Sequence, residues 1–191
     1  GLDVSGGVLV VIDGGKGLRS AVKAVFGDQA LVQRCRLHKE RNVCDHLPQD
    51  VRPPVRRRMR KAWAEEDPDK ALGRLRALQA WLEERWPGAA ASLAEGMEET
   101  LTINRLGVRG SLARALSSTN TVESAISVAR TVTRNVKRWR NGKMVLRWAA
   151  AGLEVAERQF RRVNGYREIP LLVSALRAHV GEMSEVGGKV A

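Results

Sequence analysis

A chain of 191 residues with 33 Lys and Arg against 21 Asp and Glu carries a formal charge of +12 and calls for a polyanionic partner. No apolar run approaches the ~18 to 20 residues that cross a bilayer and no signal peptide heads the sequence, so the expectation is a soluble, intracellular protein with no membrane partner. At 43% hydrophobic the chain is too apolar for a disordered basic tail, and its two cysteines, Cys35 and Cys44, exclude a disulfide framework and suit a reducing compartment.

The first 45 residues alternate strand and helix signals. Val8 to Ile12 is five consecutive apolar residues, mostly β-branched, between Gly6-Gly7 and Asp13-Gly14-Gly15, the pattern of a strand covered on both faces in a parallel sheet. Leu18, Ala21, Val22, Val25 and Phe26 then form one helical stripe that Gly27 is placed to end. Ala30 to Val32 opens a second strand running into Gln33-Arg34-Cys35, which makes residues 1–47 a βαβ unit.

Asp13 stands directly after the first strand, where open α/β sheets bind ligands, and a carboxylate there can hold a cation. The bland alternative is an Asp that hydrogen-bonds its own backbone before a glycine turn. The glycines that follow lack the spacing of a phosphate-binding loop, and Gly15 departs from the D-x-D or D-x-T pattern of aspartate-nucleophile phosphatases. Cys35 and His38 make a Cys-x-x-His pair at the end of the second strand. Completing a zinc site with Cys44 and His46 requires a cramped spacing, so the pair is expected to pack where strand meets helix.

From Pro48 only helix signals remain, and residues 48–115 read as a helical insertion. Arg52, Arg56, Arg57, Arg58, Arg60 and Lys61 place six positive charges in ten residues. Asp67-Pro68 has the form of a helix start, followed by Leu72, Leu75, Leu78, Leu82 and Trp86 until Pro87-Gly88; a further helix is expected to carry Leu93, Met97 and Leu101.

Residues 116–180 hold the last helices, and 181–191 read as a tail. Asn120-Thr121-Val122-Glu123 has the form of a capping box leading into a helix to about Val136. On the helical wheel Glu123, Arg130, Arg134, Lys137 and Arg138 share an arc beside the apolar one, so a lone carboxylate heads a basic stripe. No acid lies between Glu123 and Glu154, whereas Arg130, Arg134, Lys137, Arg138, Arg140, Lys143 and Arg147 supply seven positive charges with Trp139 and Trp148 interleaved. A solvated helix face normally mixes signs, so a phosphate backbone explains this stretch better. Trp139 is placed to stack on or wedge a base, with packing at a helix end as the alternative, and Trp148 sits on an apolar stripe that predicts a core position. A short helix from Pro170 to about His179 completes the reading.

The runs Val10 to Leu18, Val32 to Asn42 and Ser118 to Ser124, together with Asn135 to Trp139 and Arg158 to Arg162, resemble the mutator-type transposases of bacterial insertion sequences over about residues 1–180. The resemblance implies a ribonuclease H-like α/β catalytic core, partial here, with an all-helical insertion and C-terminal helices. It implies an Asp-Asp-Glu triad holding two Mg²⁺ or Mn²⁺ ions that cut and join DNA, in which Asp13 resembles the second aspartate and Glu123 the glutamate. Cys35, His38 and Arg130 resemble supporting residues of the family, and the partners implied are insertion-sequence ends, target DNA and a second copy of the protein on DNA. Arg56, Arg57 and Arg58 join Arg134, Lys137, Arg138, Trp139, Arg140 and Lys143 as expected DNA contacts. The first aspartate is expected upstream of Asp13, so the chain reads as the C-terminal part of a transposase that is inactive alone. The rival expectation is a DNA-binding remnant without turnover.

Overall fold

The computed structural model describes residues 3–187. They fall into two compact units, one running to Ser118 and resuming at Asn164, the other Thr119–Val163.

The larger unit begins with β1 (Val8–Ile12) and β2 (Ala30–Arg34), which pair in parallel with Val8 opposite Ala30 and Ile12 opposite Arg34. Helix α1 (Lys16–Phe26) makes the crossover between them and stops at Gly27, whose φ of 56° a side chain would strain. The predicted βαβ unit is therefore present, as the only two strands among the described residues. Among the described residues ten α-helices follow the strands or join them, so the fold is mixed α/β and mostly helical.

α2 (Arg36–Asp45) starts immediately after β2, and α3 (Arg52–Trp63), α4 (Pro68–Glu83) and α5 (Pro87–Ala94) pack around a core containing Val43, Val55, Met59, Trp63, Leu75, Leu78, Leu82 and Leu93. Asp67 caps α4 as expected, its Oδ1 accepting from the N–H groups of Asp69 at 2.9 Å and Lys70 at 3.2 Å. Trp86 lies beyond α4 and heads α5, so Pro87 opens a helix where the sequence suggested a stop, a place its fixed φ suits.

Leu93, Met97 and Leu101 do not share a helix either. α5 ends at Ala94, Gly96 turns the chain at φ 62°, and a 3₁₀ turn (Glu98–Leu101) leads into α6 (Thr102–Arg105) and α7 (Gly110–Leu116). The physical reason is buried Lys39, whose ammonium takes the carbonyl oxygens of Ser92, at 2.6 Å, and Glu95, and so draws that backbone out of helical pairing. The unit closes with α10 (Ile169–Gly187), longer than expected, since a single glycine at 181 costs only about 1 kcal/mol relative to Ala in a helix. The segment from 181 expected as a tail is thus helical to Gly187, and 188–191 lie outside the described residues.

The smaller unit is a helical hairpin of α8 (Asn120–Thr133) and α9 (Gly142–Glu157). α8 stops three residues before Val136, whose N–H closes a turn onto the Thr133 carbonyl. Asn141 caps α9, its Oδ1 accepting from Met144 N at 2.9 Å. Small residues bring the two helices together: a Cβ on Gly152 would stand 2.9 Å from Ala129 Cα. Trp148 is 37% exposed, which corrects its expected core position, because within the hairpin the buried residues of α9 are Gly152 and Ala156. Phe160 lies past the end of α9 and is exposed.

Among the described residues no helix is long and apolar enough to cross a membrane.

Candidate functional site

β1 delivers Asp13 to its carboxyl end, and Ile12, the last strand residue, is buried while Asp13 is exposed. The Asp13 Oδ1 accepts the Gly15 N–H at 3.0 Å, which is the local turn bond that the bland reading foresaw. The loop is fixed from beneath by Arg34 at the end of β2, a residue the sequence reading did not single out. Gly14 has a φ of 108°, and a Cβ placed on it would lie 1.8 Å from the Arg34 Cζ. Glycine is required there on both counts, so Asp13 is carried by a loop seated on a guanidinium.

Arg34 is 4% exposed, and its two terminal nitrogens reach the Glu95 carboxylate, at 2.8 Å and 3.2 Å. Its Nε is buried without a hydrogen-bond partner. Lys39, fully buried one helical turn into α2, holds the Ser92 and Glu95 carbonyls and stands 3.3 Å from Glu95 Oε2. Burial pushes the Lys39 ammonium below the usual lysine range, helped by the charge of Arg34. The hydrogen bond from Arg34 holds the Glu95 carboxyl below the carboxylate range. No short motif announces this network, because Arg34 and Glu95 are 61 positions apart.

Cys35 joins β2 to α2: its N–H meets the Ile12 carbonyl at 2.7 Å, and its carbonyl accepts from Lys39 N. The thiol is buried with its Sγ 3.2 Å from His38 Nδ1, so the Cys-x-x-His pair does sit at the strand-to-helix junction. Next to it, Arg36 donates to Thr100 O at 2.9 Å and to Asn104 Oδ1 and lies over Trp63; burial lowers it to about 10.

The expected basic segment on α3 is partly committed within the unit. Arg60 makes two hydrogen bonds to the buried Glu40 carboxylate, at 2.6 Å and 2.7 Å, and Arg56 stands 3.6 Å from it. The Arg58 guanidinium lies 4.9 Å over the ring of Trp81. Arg57 is exposed.

In the hairpin, Glu123 occupies the first turn of α8 and is exposed. The helix begins one residue earlier than a cap at Asn120 requires: Thr119 is the N-cap, and its hydroxyl donates to Glu123 Oε1 at 2.7 Å. Arg130 lies within α8, Arg134 ends it, and Lys137, Arg138, Trp139 and Arg140 follow in the non-helical stretch before Lys143 on α9. All are exposed, Trp139 at 47%. Ten Lys and Arg against three Glu give this unit +7 of the chain's +12. The structure thus gathers Asp13, Cys35 and His38 at one pair of strand ends, and gathers Glu123 with Arg130 to Lys143 on one hairpin.

Carboxylate oxygens suit Mg²⁺ or Mn²⁺ in kind. Among the described residues, however, no group of three or more His, Cys, Asp or Glu side chains comes together to hold an ion. The residues in hand do not by themselves fit a site for two metals.

A family model for transposases of the mutator family matches residues 3–163. The chain belongs to that family. It is 27% identical over 178 residues to the transposase for insertion sequence element IS6120 of Mycolicibacterium smegmatis, covering 93% of this chain and 54% of that protein. It is 30% identical over 166 residues to the transposase for insertion sequence element ISRM5 of Rhizobium meliloti (strain 1021), covering 87% of this chain and 41% of that protein. The chain therefore spans about half the length of these curated relatives. No solved structure matches it at the same stringency.

Proposed function

We propose that this chain forms part of the catalytic region of an insertion-sequence transposase that cleaves and joins DNA, with a ribonuclease H-like core to which β1, α1 and β2 contribute. Membership of the mutator family carries this reading. Within it, Asp13 and Glu123 are two of the catalytic carboxylates, and Cys35, His38 and Arg130 support them. The basic run from Arg134 to Lys143 with Trp139 and the exposed Arg57 meet the DNA backbone. A divalent ion such as Mg²⁺ would supply Lewis-acid activation of phosphodiester oxygens in such chemistry. The described donors do not complete its site. The chain's own contribution is to hold Asp13 at a fixed strand end and to surround Glu123's hairpin with positive charge that draws in phosphates. A homo-oligomer on DNA and a place on the nucleoid belong to the same reading.

Glu123→Gln keeps the hydrogen bond from Thr119 but removes the charge, and Asp13→Asn keeps the turn bond to Gly15. In a transposase containing this chain, each change is expected to abolish strand transfer, by roughly 10³-fold or more (about 4 kcal/mol or more), while DNA binding persists. Strand transfer surviving both substitutions would leave the rival, a DNA-binding protein without turnover.

A further inference from the structure

At the head of α9 the hairpin contains a cavity of about 320 Å³ lined by Arg140, Asn141, Lys143, Met144, Arg147 and Trp148. We infer that this cavity is a single-nucleotide pocket, which takes an unpaired base of DNA against Trp148 and its phosphate between Arg140, Lys143 and Arg147. The inference rests on the reading that the hairpin binds DNA, and it adds which form of DNA is preferred.

The spacing builds two walls. Lys143 and Arg147 lie four apart on α9, which puts them on one face, Met144 and Trp148 lie four apart on an adjoining apolar face, and Arg140 lines the cavity from the non-helical stretch before the cap. Three cations converge on a space without an acidic residue in its lining, and none lies in sequence between Glu123 and Glu154. Asn141 is fixed as the cap of α9 by its bond to Met144 N, so the backbone edge of the cavity is set. Trp148 is the element that a phosphate site alone does not explain. An indole 37% exposed beside three guanidinium and ammonium groups offers a π-face to a base whose phosphate those groups neutralise. The volume lies at the small end of the roughly 300 to 1,000 Å³ that small-molecule pockets occupy. A base still stacked in a duplex presents only its edge, so one that enters here has left the stack.

The test uses the 191-residue chain and two DNA probes of equal length, a blunt duplex and one with a short unpaired 3′ end carrying 2-aminopurine. The wild type is expected to prefer the unpaired end and to quench the 2-aminopurine fluorescence by stacking. Trp148→Leu is expected to lower affinity for the unpaired end by roughly 5- to 100-fold, as base–aromatic stacking implies, with blunt-duplex affinity changed less than about twofold. Trp148→Phe is expected to restore most of the preference and the quenching. If Trp148→Leu fails to fold by far-UV circular dichroism, Arg147→Gln replaces it and is expected to reduce the ratio of the two affinities. Equal affinities of the wild type for both probes, or a Trp148→Leu loss of the same size on both, would overturn the pocket while leaving salt-dependent DNA binding standing. A chain that binds neither probe would overturn the pocket and the DNA-binding reading together.

Discussion

Asp13 owes its position to charges that do not touch it. Its loop is seated on the Arg34 guanidinium, which is oriented by Glu95, which in turn is tied to Lys39 through carboxylate and carbonyl alike. Two buried cations thus share one carboxylate, and Glu95 is what makes their burial tolerable. Glu95 has a carboxyl pK depressed below its ordinary 4.5, first by the hydrogen bond from Arg34. A depressed acid stabilises the fold above the unfolded-chain pK, and that contribution is lost as the pH falls through the lower folded value. Lys39 has the opposite sign: burial lowers its pK, so the folded state disfavours its charge and gains as the pH rises through that lowered value. Acid unfolding followed by circular dichroism is therefore expected to show stability falling as the pH drops below about 4.5, and Glu95→Gln is expected to lower stability at neutral pH and flatten that acid limb. A Glu95→Gln protein with an unchanged limb would mean that other carboxylates govern acid unfolding.

At the scale of elements, glycine distinguishes a helix surface from a helix contact. Gly73, in α4, has nothing within 4 Å of a built Cβ, whereas Gly152, in α9, meets Ala129 Cα and Cβ at 2.9 Å. Gly73→Ala is expected to stabilise by about 0.5 to 1 kcal/mol, since only helix propensity changes. Gly152→Ala gains the same propensity but forces α8 and α9 apart, and a net loss of about 1 to 3 kcal/mol is expected in urea unfolding. A stabilised Gly152→Ala protein would show that the hairpin contact is loose. The elements that local pattern could fix were legible in the sequence: the β-branched run of β1, the stripe of α1 and the Asp67-Pro68 start of α4 all carry their own signals. The break after α5 was not, because the group that makes it is Lys39, more than fifty residues away, taking the carbonyls of Ser92 and Glu95. Asp13 was legible for the first reason, as a polar residue ending an apolar strand. Arg34 beneath it was not, because its partners are set by tertiary packing.

For the molecule as a whole, the sign of the charge was readable from composition but its availability was not. Arg56 and Arg60 are spent on Glu40, a buried carboxylate, whereas Arg134 and Lys137 are exposed on a hairpin with a net +7. Equal numbers of charges removed from the two places should therefore do different things. Arg134→Ala with Lys137→Ala is expected to weaken DNA binding and to flatten the dependence of log K on log salt by about 2, near 0.9 for each phosphate contact, with the melting temperature unchanged. Arg56→Ala with Arg60→Ala strands Glu40 without its cations, so it is expected to lower stability by on the order of 2 kcal/mol and to leave the salt slope within about 0.5 of wild type. Fluorescence anisotropy across a salt series, with thermal melts on the same samples, reads both quantities. If the two pairs flatten the slope equally, DNA reaches α3 as well as the hairpin, and the ion pairs with Glu40 must open to let it in.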